Sequence, residues 1–569
     1  MSAEKLTVPQ EQKTRIPVIG VFATGDPRID SDSRKRCQNI IRSIADQLSG
    51  RINLPGGAPV QVVYSDILVD GERQADTVAW QFIDAGVNVL IGVPDTWAFP
   101  QLTVFSLYSH FPQDTPLNLT CGNSAPKPGV VFTHAVSGAM AQSGKLMHII
   151  VGKWEDSGLE PEIDQSTIDE LINWSYATVT RQYLKGKRVV VFGHDSMGME
   201  TALPHVLATR ETYGIEITRL DMKLLADMLQ KKSYDADELG RLKEWLYRHA
   251  GERIQAETEK EKEDLEMSLA LYLIVRDLLN DLGAVGGGFM SQLEWGSDFR
   301  GIPLPTADIM ESLFNSTFDH NGPKAPIPFA TEADTQALLT MLFMTTLSGG
   351  NPPLFMDFRK VWEKEEVEKL AGELKLNLDD NARWLKNGFV DGNNSGSASF
   401  DWAGLPGTTA DELMKRISFP RVNNEYFPGG GVSVQFLSPG GIQGIAARLA
   451  YSLTAGLFSM VWDEAESVEL PNKLAEKVMH LSDYTWPHTF LTPKHATMFE
   501  YKHYMPANHL HMTWGLPVSR LQYWMDLTNT LSATPWKDME YGREGIDRPM
   551  PLLYVLNGGE NETKLRRCK

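Results

Sequence analysis

Three short stretches place residues able to handle a metal ion or a proton where a fold would present them. In PFATEADTQALLT (328–340) an apolar run ends at Thr331 and Glu332, and a helical pattern starts at Thr335. Glu332 is therefore expected at the carboxyl end of a strand or at a helix entrance, where α/β folds receive ligands. The same place suits an acidic residue that merely caps a helix or faces its dipole. Twenty-five residues on, PPLFMDFR (352–359) reads as a buried strand ending in Asp357, with Arg359 just beyond. Two carboxylates at neighbouring strand ends can bind a hard cation, and can equally be ordinary strand-end polar residues. A third ligand is available in PANHLHMTWG (506–515), where His509 and His511 stand two apart and share one face of an extended strand. Each also reads as a satisfied core or surface histidine. None of the other histidines lies in an H-E-x-x-H spacing, and no phosphate-binding or dinucleotide glycine fingerprint occurs at a strand-to-helix junction.

The elements that must position these residues follow two textures. The first part of the chain alternates apolar runs of strand length (16–22, 60–64, 87–93 and 129–133) with amphipathic stretches such as 33–48, which is the rhythm of a parallel sheet with crossover helices. A helix over 165–184, a strand over 188–192, the turn GHDSMG (193–198) and a strand over 215–220 begin a second α/β set. Helical periodicity then runs from about 235 to 280 and carries a mixed-sign stretch over 257–266, read as a solvated helix face. From about 345 the texture changes to Gly-, Pro- and Asn-rich turns between short apolar runs, the mark of a β-richer third domain. The expected division is an α/β domain over 1–172, a second over 173–345 carrying Glu332, and a β-rich domain over 346–569 carrying Asp357 and His509.

Composition narrows the function. The 569 residues exceed what one hydrophobic core organises, and 42% hydrophobic content is that of a folded chain. A net charge of −19 argues against nucleic acid or an anionic membrane surface as partner. The longest apolar run, 269–275, is cut by Arg276 and Asp277, so no membrane span is expected. The opening MSAEKL has no apolar core of signal-peptide length, and the only cysteines are Cys37, Cys121 and Cys568. A reducing, cytoplasmic setting is the expectation, without a thiolate zinc site.

Several segments in order resemble the L-fucose isomerase family: NSTFDHNG (315–322), ATEAD (330–334), FMDFR (355–359), NSGSA (394–398), EYFPGGG (425–431), SVELP (467–471) and ANH (507–509). The resemblance runs with gaps from near 16 to about 515. It implies two N-terminal parallel-sheet, Rossmann-like α/β domains followed by a β-rich C-terminal domain, assembled as a hexamer with active sites near subunit contacts. It further implies a Mn²⁺ ion, with Mg²⁺ or Co²⁺ as substitutes, on Glu332, Asp357 and His509, the Asn-His pair selecting His509 over His511. Gln292, Tyr426, Asn508, Trp97 and Arg28 are the implied sugar contacts. The implied reaction interconverts L-fucose and L-fuculose, or D-arabinose and D-ribulose, through a cis-enediol, with Glu332 and Asp357 also as acid–base pair. An L-arabinose isomerase, a metal-dependent sugar lyase or epimerase, and a non-catalytic sugar-binding protein are the alternatives. Phe22-Ala23, Leu510 and the stretch after about 516 depart from the family pattern, which bears on the preferred sugar rather than the reaction.

Overall fold

A computed structural model describes residues 16–194, 197–291, 304–393, 398–423, 427–453 and 455–533. Its contacts divide the chain into one unit of residues 1–53 and 58–183 and another of 54–57 and 184–569. The change falls at the end of the helix Gln165–Leu184, whereas the sequence reading puts it at 172/173, inside that helix.

The first unit is a parallel sheet of five strands, β1 (Val18–Phe22), β2 (Gln61–Tyr64), β3 (Val89–Gly92), β4 (Leu117–Gly122) and β5 (His148–Gly152), in the order β2-β1-β3-β4-β5. β1, β3 and β4 are buried along their whole length, as continuous apolar runs covered on both faces should be. The helix Ser31–Leu48 starts where the Asp30 carboxylate accepts from Ser33 N at 2.7 Å, and it buries Cys37, Ile40, Ile41, Ile44 and Leu48.

One expectation is overturned here. Residues 129–133 are not a strand but the first turns of the helix Gly129–Gln142. Its buried residues Gly129, Phe132, Thr133, Val136 and Met140 follow helical spacing, and that longer pattern outweighs the local β-branched run. Gly129 is required by packing, since a Cβ there would lie 2.6 Å from the Pro94 carbonyl oxygen. The strands that complete the sheet are β4 and β5.

The second unit opens with a parallel sheet, β11-β8-β6-β7, built from β6 (Arg188–Phe192), β7 (Glu216–Leu220), β8 (Ala284–Phe289) and the short edge strand β11 (Phe329–Ala330). β9 (Phe318–Asp319) and β10 (Gly322–Pro323) form a separate antiparallel pair. The helical stretch before β8 is two helices, Ala236–Ala250 and Glu259–Asp281, broken at Gly251 (φ 52°) and restarted by a capping box between Thr258 and Glu261. That box buries Glu261, and Asp264 is buried as well, so the mixed-sign stretch is only in part a solvated face.

The remainder is the β-rich part: β12 (Leu354–Trp362), β13 (Phe389–Asn393), β14 (Gln443–Ser452), β15 (Leu457–Ser467), β16 (His488–Pro493), β17 (His509–Trp514) and β18 (Leu531–Ala533). They run in the order β14-β17-β12-β13-β16-β15-β18, antiparallel except for β15–β18. A further pairing of β14 with β15 closes the first six of these into a ring, which leaves them no free edge. The fold is thus α/β with two parallel sheets followed by a β-rich, mostly antiparallel sheet.

Candidate active site

Glu332 stands where β11 gives way to the helix Thr335–Leu347. The intervening turn, Thr331–Ala333, holds two successive non-glycine residues in the left-handed region, Glu332 at φ 60° and Ala333 at φ 54°. Such conformations persist only when their surroundings over-determine them. Here Glu332 N donates to Ser291 Oγ at 2.8 Å, and Asp334 caps the next helix by accepting from Ala337 N at 2.9 Å.

Asp357 lies within β12, not at its end as the sequence suggested, for the strand continues to Trp362. A register shift between Phe358 and Lys360 leaves Arg359 as an exposed extra residue, and this bulge is what broke the apparent strand pattern. The antiparallel register sets Asp357 opposite His509 on β17, and Phe358 N donates to the Asn508 carbonyl oxygen at 2.6 Å. His509 and His511 share a buried face of β17, both beside the ring of Phe355, with centroids 4.5 and 4.9 Å away.

The fold thereby brings Glu332, Asp357 and His509 together. His509 Nε2 is 3.3 Å from Glu332 Oε2 and 3.2 Å from Asp357 Oδ1. Its Nδ1 meets Asp334 Oδ2 at 2.6 Å, and Asn508 Nδ2 approaches Nε2 at 2.9 Å. His511 is turned elsewhere, its Nε2 facing Arg448 Nη1 at 3.4 Å. Arg448, from the middle of β14, binds Asp334 through both Nη atoms at 2.7 and 3.1 Å, and neither side chain is exposed.

Burial and charge decide the ionisation of this cluster. Burial lifts the Glu332 carboxyl above its ordinary range, partly offset by its contact with His509. Burial acts on Asp334 in the same sense but is outweighed by Arg448 and His509, which hold that carboxylate well below its ordinary value. Burial disfavours the charged form of His509, yet the hydrogen bonds its ring donates to Asp334, Asp357 and Glu332 raise its proton affinity well above normal. Burial and the neighbouring Arg448 keep His511 neutral. Among the described residues, His509 is the only cationic partner that either Glu332 or Asp357 meets in an ion pair.

Asn508 is exposed; its Oδ1 accepts from Thr201 Oγ1 at 3.3 Å and its Nδ2 reaches Met199 Sδ at 3.3 Å. Gln292 and Tyr426 lie outside the described residues. Arg28 and Trp97 belong to the first unit, where they help line a cleft of about 300 Å³ with Asp26, Ser33 and Lys127. Arg28 is 77% exposed and holds Asp26 with two parallel bonds of 2.8 and 2.6 Å, which lower that carboxyl to about 2. Trp97 packs edge-on against Phe132 with ring centroids 6.3 Å apart.

Sequence reasoning missed Asp334 and Arg448. The available signals were an acid two residues from Glu332 and an arginine inside the apolar run of β14, where an unpaired charge would be costly.

The family model for the first N-terminal domain of L-fucose isomerase matches residues 16–186, and that for the second N-terminal domain matches 187–349. The chain belongs to the L-fucose isomerase family. Curated relatives include the L-fucose isomerases of Streptococcus pneumoniae strains JJA and CGSP14, each 26% identical over 546 residues, spanning 88% of this chain and 90% of the relative. As a member of the L-fucose isomerase family it is a sugar isomerase, an intramolecular oxidoreductase of the aldose–ketose type. Among the described residues no helix is long and apolar enough to cross a membrane.

Proposed function

We propose that the chain interconverts L-fucose and L-fuculose, and D-arabinose and D-ribulose, through a cis-enediol, with Glu332, Asp357 and His509 holding one Mn²⁺-like ion. The observation that carries this reading is the direction of the His509 ring: Nδ1 is committed to Asp334, while Nε2 faces two carboxylate oxygens at 3.3 and 3.2 Å. An imidazole nitrogen aimed at two anions calls for a positive charge among them, a proton on that nitrogen or a metal ion in its place. Two carboxylates and one imidazole suit Mn²⁺, or Mg²⁺ and Co²⁺ in its place, better than a thiolate-seeking metal. Among the described residues no three His, Cys, Asp or Glu side chains are gathered closely enough to enclose an ion as they stand. Binding therefore calls for side-chain adjustment, for which Asp357, at 28% exposure, has room.

Such an ion would stabilise the negative charge that gathers on O1 and O2 of the sugar in the enediol. The residues supply the rest. A carboxylate removes the proton from C2 and the resulting acid returns it to C1, while the hydroxyl proton passes from O2 to O1, which moves the carbonyl without net oxidation. Glu332, whose burial raises its proton affinity, suits this shuttle, and Asp357 faces the same nitrogen from the other strand. Asn508, with Trp97, Arg28, Gln292 and Tyr426, is assigned to the sugar. We place the enzyme in the cytoplasm as a hexamer; the buried thiols of Cys37 and Cys121 are free, as a reducing setting keeps them.

The test is ketose formation from L-fucose, D-arabinose and L-arabinose by chelator-stripped protein, with and without Mn²⁺. Conversion restored by Mn²⁺ on either of the first two supports the reading. Conversion of L-arabinose alone, or of none with Mn²⁺ demonstrably bound, overturns the substrate assignment.

A further inference from the structure

Asp334 makes four side-chain hydrogen bonds beside the site, three from fixed donors and the fourth with an imidazole nitrogen. Oδ1 accepts from Ala337 N at 2.9 Å and from Arg448 Nη2 at 3.1 Å. Oδ2 accepts from Arg448 Nη1 at 2.7 Å and from His509 Nδ1 at 2.6 Å. An ionised carboxylate offers about four acceptor positions and no donor, so this environment uses all of them. The Arg448 fork on both oxygens holds Asp334 as an ion with no hydrogen of its own, so the remaining partner, His509 Nδ1, must supply the proton of that bond.

The consequence reaches His509. With Asp334 accepting, Nδ1 carries the ring proton that stays, and Nε2, directed toward Glu332 and Asp357, is the nitrogen that yields its proton when a metal ion takes that place. Arg448 completes the arrangement. Its guanidinium neutralises Asp334, is anchored by donating to the Thr201 carbonyl oxygen at 2.7 Å, and occupies both carboxylate oxygens. Asp334 cannot then swing over to become a ligand itself. Carboxylates that orient metal-bound imidazoles in this way typically govern metal affinity by 10–100-fold.

We propose that Asp334, clamped by Arg448, is a positioning residue that fixes the tautomer and orientation of His509 and so presents Nε2 to the metal ion. The proposal rests on the reading of Glu332, Asp357 and His509 as the metal ligands, and its test separates the two. Full-length protein, stripped with EDTA, is titrated calorimetrically with MnCl₂ as wild type, Asp334→Asn, Arg448→Lys and His509→Gln, each checked for fold by circular dichroism and thermal melting.

Wild-type protein should bind Mn²⁺ and His509→Gln should lose that binding; a His509→Gln variant that binds normally overturns the metal reading and this proposal with it. Given that loss, Asp334→Asn should raise the dissociation constant about 10–100-fold, and Arg448→Lys, which keeps the cation but not the fork, on the order of tenfold. Wild-type affinity in a folded Asp334→Asn variant overturns the proposal alone, and if that variant does not fold, wild-type affinity in Arg448→Lys does the same. A reading independent of any variant is the ¹⁵N spectrum of histidine-labelled wild-type protein loaded with Mg²⁺. His509 Nδ1 should show the one-bond coupling of a protonated nitrogen, and a bare Nδ1 overturns the proposal whatever the variants do.

Discussion

The two carboxylates facing His509 Nε2 differ in solvation, Glu332 at 11% side-chain exposure and Asp357 at 28%. The drier one has the raised proton affinity that a proton carrier needs. Glu332→Gln keeps the volume and removes the proton-carrying oxygen, so kcat should fall by about 10²–10⁴-fold, measured with Mn²⁺ saturating. Asp308 allows a residue-scale test away from this cluster. It is fully buried, accepts from Thr306 Oγ1 at 2.6 Å and Ser433 Oγ at 2.5 Å, and burial raises its carboxyl from 3.8 to about 7. The folded state therefore keeps this proton where the unfolded chain has lost it. The associated stability is full below about pH 4 and is lost as pH rises toward 7. Relative to wild type, Asp308→Asn should gain in melting temperature between pH 4.5 and pH 7.5, as read by paired thermal melts. No relative gain would mean that Asp308 is already ionised in the folded state.

At the scale of elements, the site is made by three junctions: the strained turn Thr331–Ala333, the bulge after Phe358 on β12, and the pairing of β17 with β12 and β14. Two left-handed non-glycine residues cost on the order of 1–3 kcal/mol each, which the Ser291 bond and the Asp334 cap must offset. β17 is held from its other side by β14, where Gly444 lies opposite Trp514. A Cβ on Gly444 would sit 2.2 Å from the Thr513 carbonyl oxygen, so the two strands must part to admit it. Gly444→Ala is expected to destabilise by about 1–3 kcal/mol and to weaken Mn²⁺ binding, because the strand that yields carries His509. Thermal melting and calorimetry check the two effects separately.

For the whole molecule, a bound ion and the folded state stabilise each other. A ligand at one hundred times its dissociation constant adds about 2.7 kcal/mol to the apparent stability of the form that binds it. EDTA should therefore lower the melting temperature of wild-type protein and Mn²⁺ should restore it. In His509→Gln neither addition should have an effect. The net charge of −19 bears on the same equilibrium, since a cation entering an acidic chain gains from its field at low ionic strength and less so in high salt.

What the sequence determined by itself were the local choices. Helix Gln165–Leu184 and strand Arg188–Phe192 have the bounds read from periodicity, and helix Thr335–Leu347 starts where that reading put it, because a long amphipathic or continuously apolar run leaves one way to bury its face. The family resemblance was legible for a related reason, being carried by short ordered motifs. Non-local partners decided the rest. Asp357 lies inside a strand because the bulge at Arg359 is a property of pairing with β13. Asp334 and Arg448 are 114 residues apart, and the worth of each charge depends on the other being there. A pattern along the chain records which face a residue buries, but only the tertiary structure specifies what waits on the other side.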